Sequence, residues 1–180
     1  MTGREKFVKI RTAVIDIAVV ALIVCAILFF VRPVIVDGDS MLPNFHNRDY
    51  LFLNEQAYRI GKPHRGDVVV FHVTAGGEDE LYIKRVIGIP GDKIDIHGGD
   101  VYVNGDRQDQ EYTKDGYTPG NVSGAVVPKG RVYVLGDNRA NSIDSRIIGT
   151  VRISDIRGRA IFRLFPLKRI GTLPEYGTAE

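Results

Sequence analysis

The chain has 180 residues, 44% of them hydrophobic and 26% charged, which suits one modest domain or a domain plus an anchor. Its 24 basic and 22 acidic side chains leave a formal net charge of +2, without the concentrated basic stripe that nucleic-acid binding requires. The single cysteine, Cys25, excludes an internal disulfide and a cysteine-based metal site.

Residues 13–31 form an apolar stretch interrupted only by Asp16. As a helix rising about 1.5 Å per residue it would span about 28 Å, close to the hydrocarbon thickness of a bilayer. Arg4, Lys6, Lys9 and Arg11 precede it against one acid, Glu5, so the N-terminal end is expected to stay in the cytoplasm. The stretch runs into Phe29, Phe30, Val31, Arg32 and Pro33 with no small-residue cleavage pattern, which predicts an uncleaved anchor. The expected organisation is a short cytoplasmic tail over 1–12, a transmembrane anchor over 13–31 and an extracytoplasmic domain over 32–180.

Beyond Pro33 the chain changes to short alternating runs broken by Gly, Pro, Asn and Asp. Strands are predicted at 34–36, 50–53, 68–73, 81–88, 93–96, 101–103, 131–135, 147–151 and 159–164, giving a mainly β, antiparallel domain. Gly98-Gly99 and Asn104-Gly105 each follow a strand-like run and predict hairpin turns. A single helical turn is expected at 154–156. The segment of about 95–130, polar and turn-rich over 106–129, is expected to be a variable insertion or subdomain. Residues 162–167 are apolar and precede Lys168 and Arg169, consistent with a last strand and a solvated tail, or with a lipid-facing surface.

Three clusters could carry chemistry. Ser40 follows the apolar segment closely, and its hydroxyl needs a base to become a nucleophile. The four histidines, His46, His64, His72 and His97, stand singly and have no evident claim to that role. Lysine can serve if burial lowers its pKa. In Leu81-Tyr82-Ile83-Lys84-Arg85-Val86-Ile87, two-residue alternation puts Lys84 on one face with Tyr82 and Val86, while Arg85 points the other way. The third cluster runs from Gly136 to Arg146. There Asp144 and Arg146 could form a structural pair and Ser142 could orient a base, although the same residues also suit an ordinary polar turn.

Together these clusters resemble the motif set of bacterial type I signal peptidases, in that family's order. Ser40-Met41-Leu42-Pro43 resembles the nucleophile box, and Arg65-Gly66-Asp67-Val68-Val69-Val70-Phe71 the strand box after it. The stretch from Tyr82 to Asp92 resembles the general-base box, and Gly136 through Arg146 the last box. The resemblance implies a signal-peptidase-type antiparallel β catalytic domain. It also implies Ser40 as nucleophile, Lys84 as base, Ser142 orienting the lysine, and Asp144 with Arg146 as an ion pair. Gly38 stands where some members carry an oxyanion-binding serine, which leaves the Ser40 backbone N–H as the better donor. Asn44 and Ala140 also depart from the common pattern.

The activity implied is cleavage of signal sequences from secreted preproteins at a bilayer surface, with no metal, organic cofactor or nucleic acid. Small residues are expected at the first and third positions before the cut. Two other readings share part of the pattern. A self-cleaving repressor-type Ser–Lys peptidase would place a DNA-binding module where this chain has its apolar segment. An inactive membrane-tethered binding module would be free to lose Ser40 or Lys84, and both are present.

Overall fold

The computed structural model describes residues 3–75 and 78–173. A helix, α1 (Gly3–Phe30), opens the chain. Among the described residues no helix is long and apolar enough to cross a membrane. The anchor expected over 13–31 depends in part on side chains at 23 and 25–30, which lie outside the described residues. The side chains of α1 that are described, 10–22 and Val24, are exposed. The helix stops at Phe30 and Val31 already belongs to β1 (Val31–Ile35), so the first strand begins earlier than the alternation suggested. Pro33 accounts for the switch, because it cannot sit inside a helix and biases its predecessor toward extended backbone. β1 pairs only with β2 (Tyr50–Asn54), and a sheet edge tolerates proline.

After a short helix, α2 (Ala57–Ile60), come β3 (Val68–Ala75), β4 (Glu78–Gly88), β5 (Lys93–His97) and β6 (Asp100–Val103). Then follow β7 (Asp106–Arg107), β8 (Val122–Val126), β9 (Arg131–Leu135), α3 (Ser145–Ile148) and β10 (Val151–Arg152). The chain continues through a 3-10 turn at Ile153–Asp155, β11 (Ile156–Phe165), a second such turn at Leu167–Arg169, and β12 (Gly171–Thr172). The larger sheet runs β1-β2-β11-β3-β4-β9-β10 with β12 on β11, and the smaller runs β7-β6-β5-β8. Every pairing is antiparallel.

Alternation explains the packing locally. In β5, Ile94 and Ile96 are fully buried while Lys93 and His97 are exposed. Both predicted hairpins form. Asn104 and Gly105 have φ of 57° and 92°, and Gly98 and Gly99 have 61° and 90°, the left-handed pairs that a two-residue turn needs. The polar stretch 106–129 contributes β7 and β8 to the smaller sheet. The strand expected at 147–151 is corrected: residues 145–148 are helical and only Val151 and Arg152 are extended. Asp144 is the reason, since its carboxylate caps α3 by accepting from the Arg146 N–H. β11 buries Gly158, Ala160 and Arg163 as it crosses between β2 and β3.

Candidate active site

Ser40 lies on a turn between β1 and β2, anchored by two fully buried neighbours, Met41 and Phe45. The Phe45 N–H donates to the Met41 carbonyl at 2.9 Å and Leu42 N–H to the Asp39 carbonyl at 3.2 Å. The loop after β9 docks on this turn through Asn138. Its backbone N–H donates to the Ser40 carbonyl and its side-chain amide to the Asp39 carbonyl, each at 3.0 Å. Two separate carbonyls of the turn are thereby fixed from outside.

Lys84 comes from the middle of β4, where it pairs with Val69 of β3. It is 4% exposed. Its Nζ donates to Ser40 Oγ at 2.8 Å and to the Ile83 carbonyl at 2.9 Å, and lies 5.2 Å from the centre of the Tyr82 ring. Burial lowers its pKa from 10.5 to about 8, against the opposing pull of Asp144 and Asp137. A hydroxyl joined to an amine that is neutral in an accessible pH range has the chemistry a nucleophile and its base require.

The pleat sends the next residue elsewhere. Arg85 is fully buried and makes a fork to Asp137, with contacts of 2.8 and 2.7 Å, while also donating to the Gly66 carbonyl at 2.9 Å. Asn44 donates to Asp137 Oδ2 at 2.9 Å and to the Tyr112 carbonyl at 2.8 Å, so it ties the turn that carries Ser40 to the same carboxylate. The Tyr112 ring lies under both Arg85 and Arg139, with its hydroxyl accepting from Arg139 at 2.9 Å. This departure from the common motif is therefore integrated into the site.

Asp144 and Arg146 form the expected ion pair, two contacts of 2.8 Å, and the Asp144 carboxylate also accepts from the Gly136 N–H at 3.1 Å. Ser142 lies alongside, but its Oγ is buried with no hydrogen-bond partner among the described residues. Gly136 explains how closely these parts meet. A Cβ built there would fall 2.6 Å from the Ser40 carbonyl oxygen and 2.6 Å from Ser142 Cβ, overlapping the Ser142 hydroxyl as well. Only glycine lets the two serine-bearing segments approach.

A cleft of about 660 Å³ opens over the pair, walled by residues 37–40, by 80–84 of β4, and by Asn141 and Ile143. β4 pairs with β9 from Arg85 onward, so, among the described residues, 78–84 have β3 on one side and a free edge on the other. Gly38 borders the cleft with φ of 86°, and its N–H donates to Asn47 Oδ1 at 3.3 Å. The Ser40 N–H has no partner among the described residues. Ala140 is exposed. Among the described residues no group of three His, Cys, Asp or Glu side chains could hold a metal.

The structure brings Ser40 and Lys84 into contact, pairs Asp144 with Arg146, and leaves the Ser142 hydroxyl beside them unbonded. Sequence reasoning missed Asn138, Asp137 and the Ile83 carbonyl. Asn138 had a local signal, since it stands two residues after Gly136 in the last motif. The Arg85–Asp137 pair joins positions 52 apart and had none.

Residues 9–165 match the family described as signal peptidase, peptidase S26. Over 182 residues the chain is 37% identical to the signal peptidase I of Bacillus amyloliquefaciens, covering 93% of this chain and 96% of that one. It is 39% identical over 155 residues to the signal peptidase I of Bacillus caldolyticus, covering 79% and 84%. A crystal structure of a signal peptidase I from Enterococcus faecalis V583 overlays 56% of this chain and 97% of its own, at 28% identity and a TM-score of 0.47.

Proposed function

The chain belongs to the signal peptidase family, peptidase S26, and is a serine endopeptidase; on that premise we propose that it removes N-terminal signal peptides from exported preproteins at a membrane surface, with Ser40 as nucleophile and Lys84 as general base. The observation that carries this reading is the 2.8 Å hydrogen bond between Lys84 Nζ and Ser40 Oγ at a buried amine.

Neutral Lys84 takes the Ser40 proton as Oγ attacks the carbonyl carbon of the scissile bond. The Ser40 N–H stabilises the oxyanion. As the tetrahedral species collapses, the ammonium returns the proton to the departing amine, leaving an ester on Ser40. Lys84 then takes a proton from water as its oxygen attacks the ester, and the ammonium returns that proton to Ser40 Oγ as the acyl product leaves. Ser142 is proposed to turn its buried, unbonded hydroxyl toward the lysine and hold it, while Asp144 and Arg146 brace the loop.

The free edge of β4 supports binding of the preprotein as an added extended strand, with small residues at the first and third positions before the cut. The membrane part of the proposal rests on the apolar run over 13–31 and on an exposed apolar row at one end of the larger sheet. Ile35, Tyr50 and Phe165 are register neighbours across β1, β2 and β11, yet they are 53%, 39% and 50% exposed. Such a row suits contact with lipid, leaving the N-terminus cytoplasmic and the β domain outside.

The test is cleavage of a preprotein by the full chain in membranes, beside Ser40→Ala and Lys84→Ala. Wild-type product with none from either variant supports the dyad, whereas equal product from all three would sink it. A C-terminal reporter found in the cytoplasm would overturn the orientation.

A further inference from the structure

Arg163 lies far from Ser40 in sequence yet contacts the turn that carries it at three residues, Asn44, Phe45 and Asp49. It is 7% exposed on β11, opposite Leu51 of β2. Its Nη2 donates to the Asn44 carbonyl across 119 positions, and its Nε lies 3.3 Å from Asp49 Oδ2. The guanidinium also covers the Phe45 ring, 5.0 Å from its centre. Asp49 is 1% exposed and closes the base of the turn: its carboxylate accepts from the His46 N–H at 3.1 Å, and its carbonyl accepts from Val36 N–H at 2.9 Å. One planar cation therefore holds a carbonyl and a ring of the segment that carries Ser40, and faces a carboxylate that Arg169 also holds with a 2.9 Å hydrogen bond. Arginine suits this arrangement and lysine does not, because only a planar guanidinium can cover the Phe45 ring while one nitrogen donates to the Asn44 carbonyl and another faces Asp49, where Nε makes an ion-pair contact but no hydrogen bond.

We infer that Arg163 is a positioning residue for acyl transfer, holding turn 44–49 so that Ser40 Oγ stays in line with Lys84. The inference rests on the Ser40–Lys84 reading above. Its action is indirect, through the Asn44 carbonyl, Phe45 and Asp49, since Asn44 is in turn bonded to Asp137 beside the base strand. A displacement of the order of an ångström at a reacting atom lowers turnover steeply while leaving a strand-addition site elsewhere intact.

The experiment compares wild type, Arg163→Lys and Arg157→Lys in membranes, with amide hydrogen exchange on the same preparations. Arg157 is on the same strand but pairs at the surface with Glu55, so it controls for a lysine on β11. Arg163→Lys should lower kcat on the order of tenfold with KM within about twofold. Exchange should rise in 41–49 and stay unchanged in β3 and β4. Arg157→Lys should match wild type in both. A folded Arg163→Lys with wild-type kcat and exchange overturns the inference, as does a loss that appears wholly in KM. Absence of Ser40-dependent cleavage by wild type would sink the function reading instead, and exchange over 41–49 would still decide whether Arg163 holds the turn.

Discussion

Lys84 and Ser40 stand 44 positions apart and meet through a 2.8 Å hydrogen bond. The contact needs three things at once. The β3–β4 pairing sets the depth of the lysine, Asn138 fixes the carbonyls on either side of the serine, and Gly136 lets the two segments approach.

The first prediction concerns pH. With Lys84 as the proposed base the reaction would require the neutral amine, so kcat/KM should rise with pH and level off above about 8. Below that value it should fall about tenfold per unit. A pH–rate profile still climbing near the ordinary lysine value of 10.5 would contradict the buried base.

Stability follows the same group with a definite sign. The folded pKa of about 8 lies below the unfolded 10.5, so between those values the unfolded chain binds the extra proton and stability rises with pH. Below about 8 the fold must hold a buried ammonium, costing about 3 kcal/mol. Lys84→Met should therefore be inactive yet more stable than wild type at pH 7, by an amount on the order of 1–3 kcal/mol. Denaturant titrations at pH 7 and pH 10 would check this, and the gap should narrow at the higher pH.

The Arg85–Asp137 pair has both side chains fully buried, so removing one partner strands a charge. Asp137→Ala should cost about 3–5 kcal/mol, measured by urea unfolding. The double variant Arg85→Met/Asp137→Leu should be less damaged than the single one, because it leaves no unpaired charge.

Gly136→Ala should fold but lose about a hundredfold in kcat, because the new methyl would occupy space held by the Ser40 carbonyl and Ser142. Unchanged turnover would mean that the two segments are not in close approach in solution.

Ser142→Ala separates a structural hydroxyl from a working one. The Oγ has no partner among the described residues, so its loss should leave thermal stability unchanged or raise it by up to about 1 kcal/mol. Turnover should fall tenfold or more, on the order expected for an orienting group lost from a general base. A drop in stability instead would show that the hydroxyl is satisfied elsewhere.

Legibility in the sequence followed the range of the interaction. The two glycine-containing hairpins and the alternation that separates Lys84 from Arg85 are local, and both could be read directly. Resemblance supplied Ser40, whose own surroundings are ordinary until Asn138 docks on them. Arg85 with Asp137, and Arg163 with Asn44, join positions 52 and 119 apart, and no local pattern announces them. The strand expected at 147–151 failed for a local reason, because Asp144 caps a helical turn and hydrophobic alternation takes no account of caps.

The unpaired edge of β4 has a second consequence, concerning solubility. A free extended edge is a template for pairing with another copy and so an aggregation hazard. Asp79 and Glu80 stand on that edge, exposed, and like charges on two approaching copies oppose their association. With a preprotein added to that edge as proposed above, the same two acids would also disfavour acidic peptides along the strand. On that proposal, protection of the molecule and choice of its substrate would fall to the same side chains.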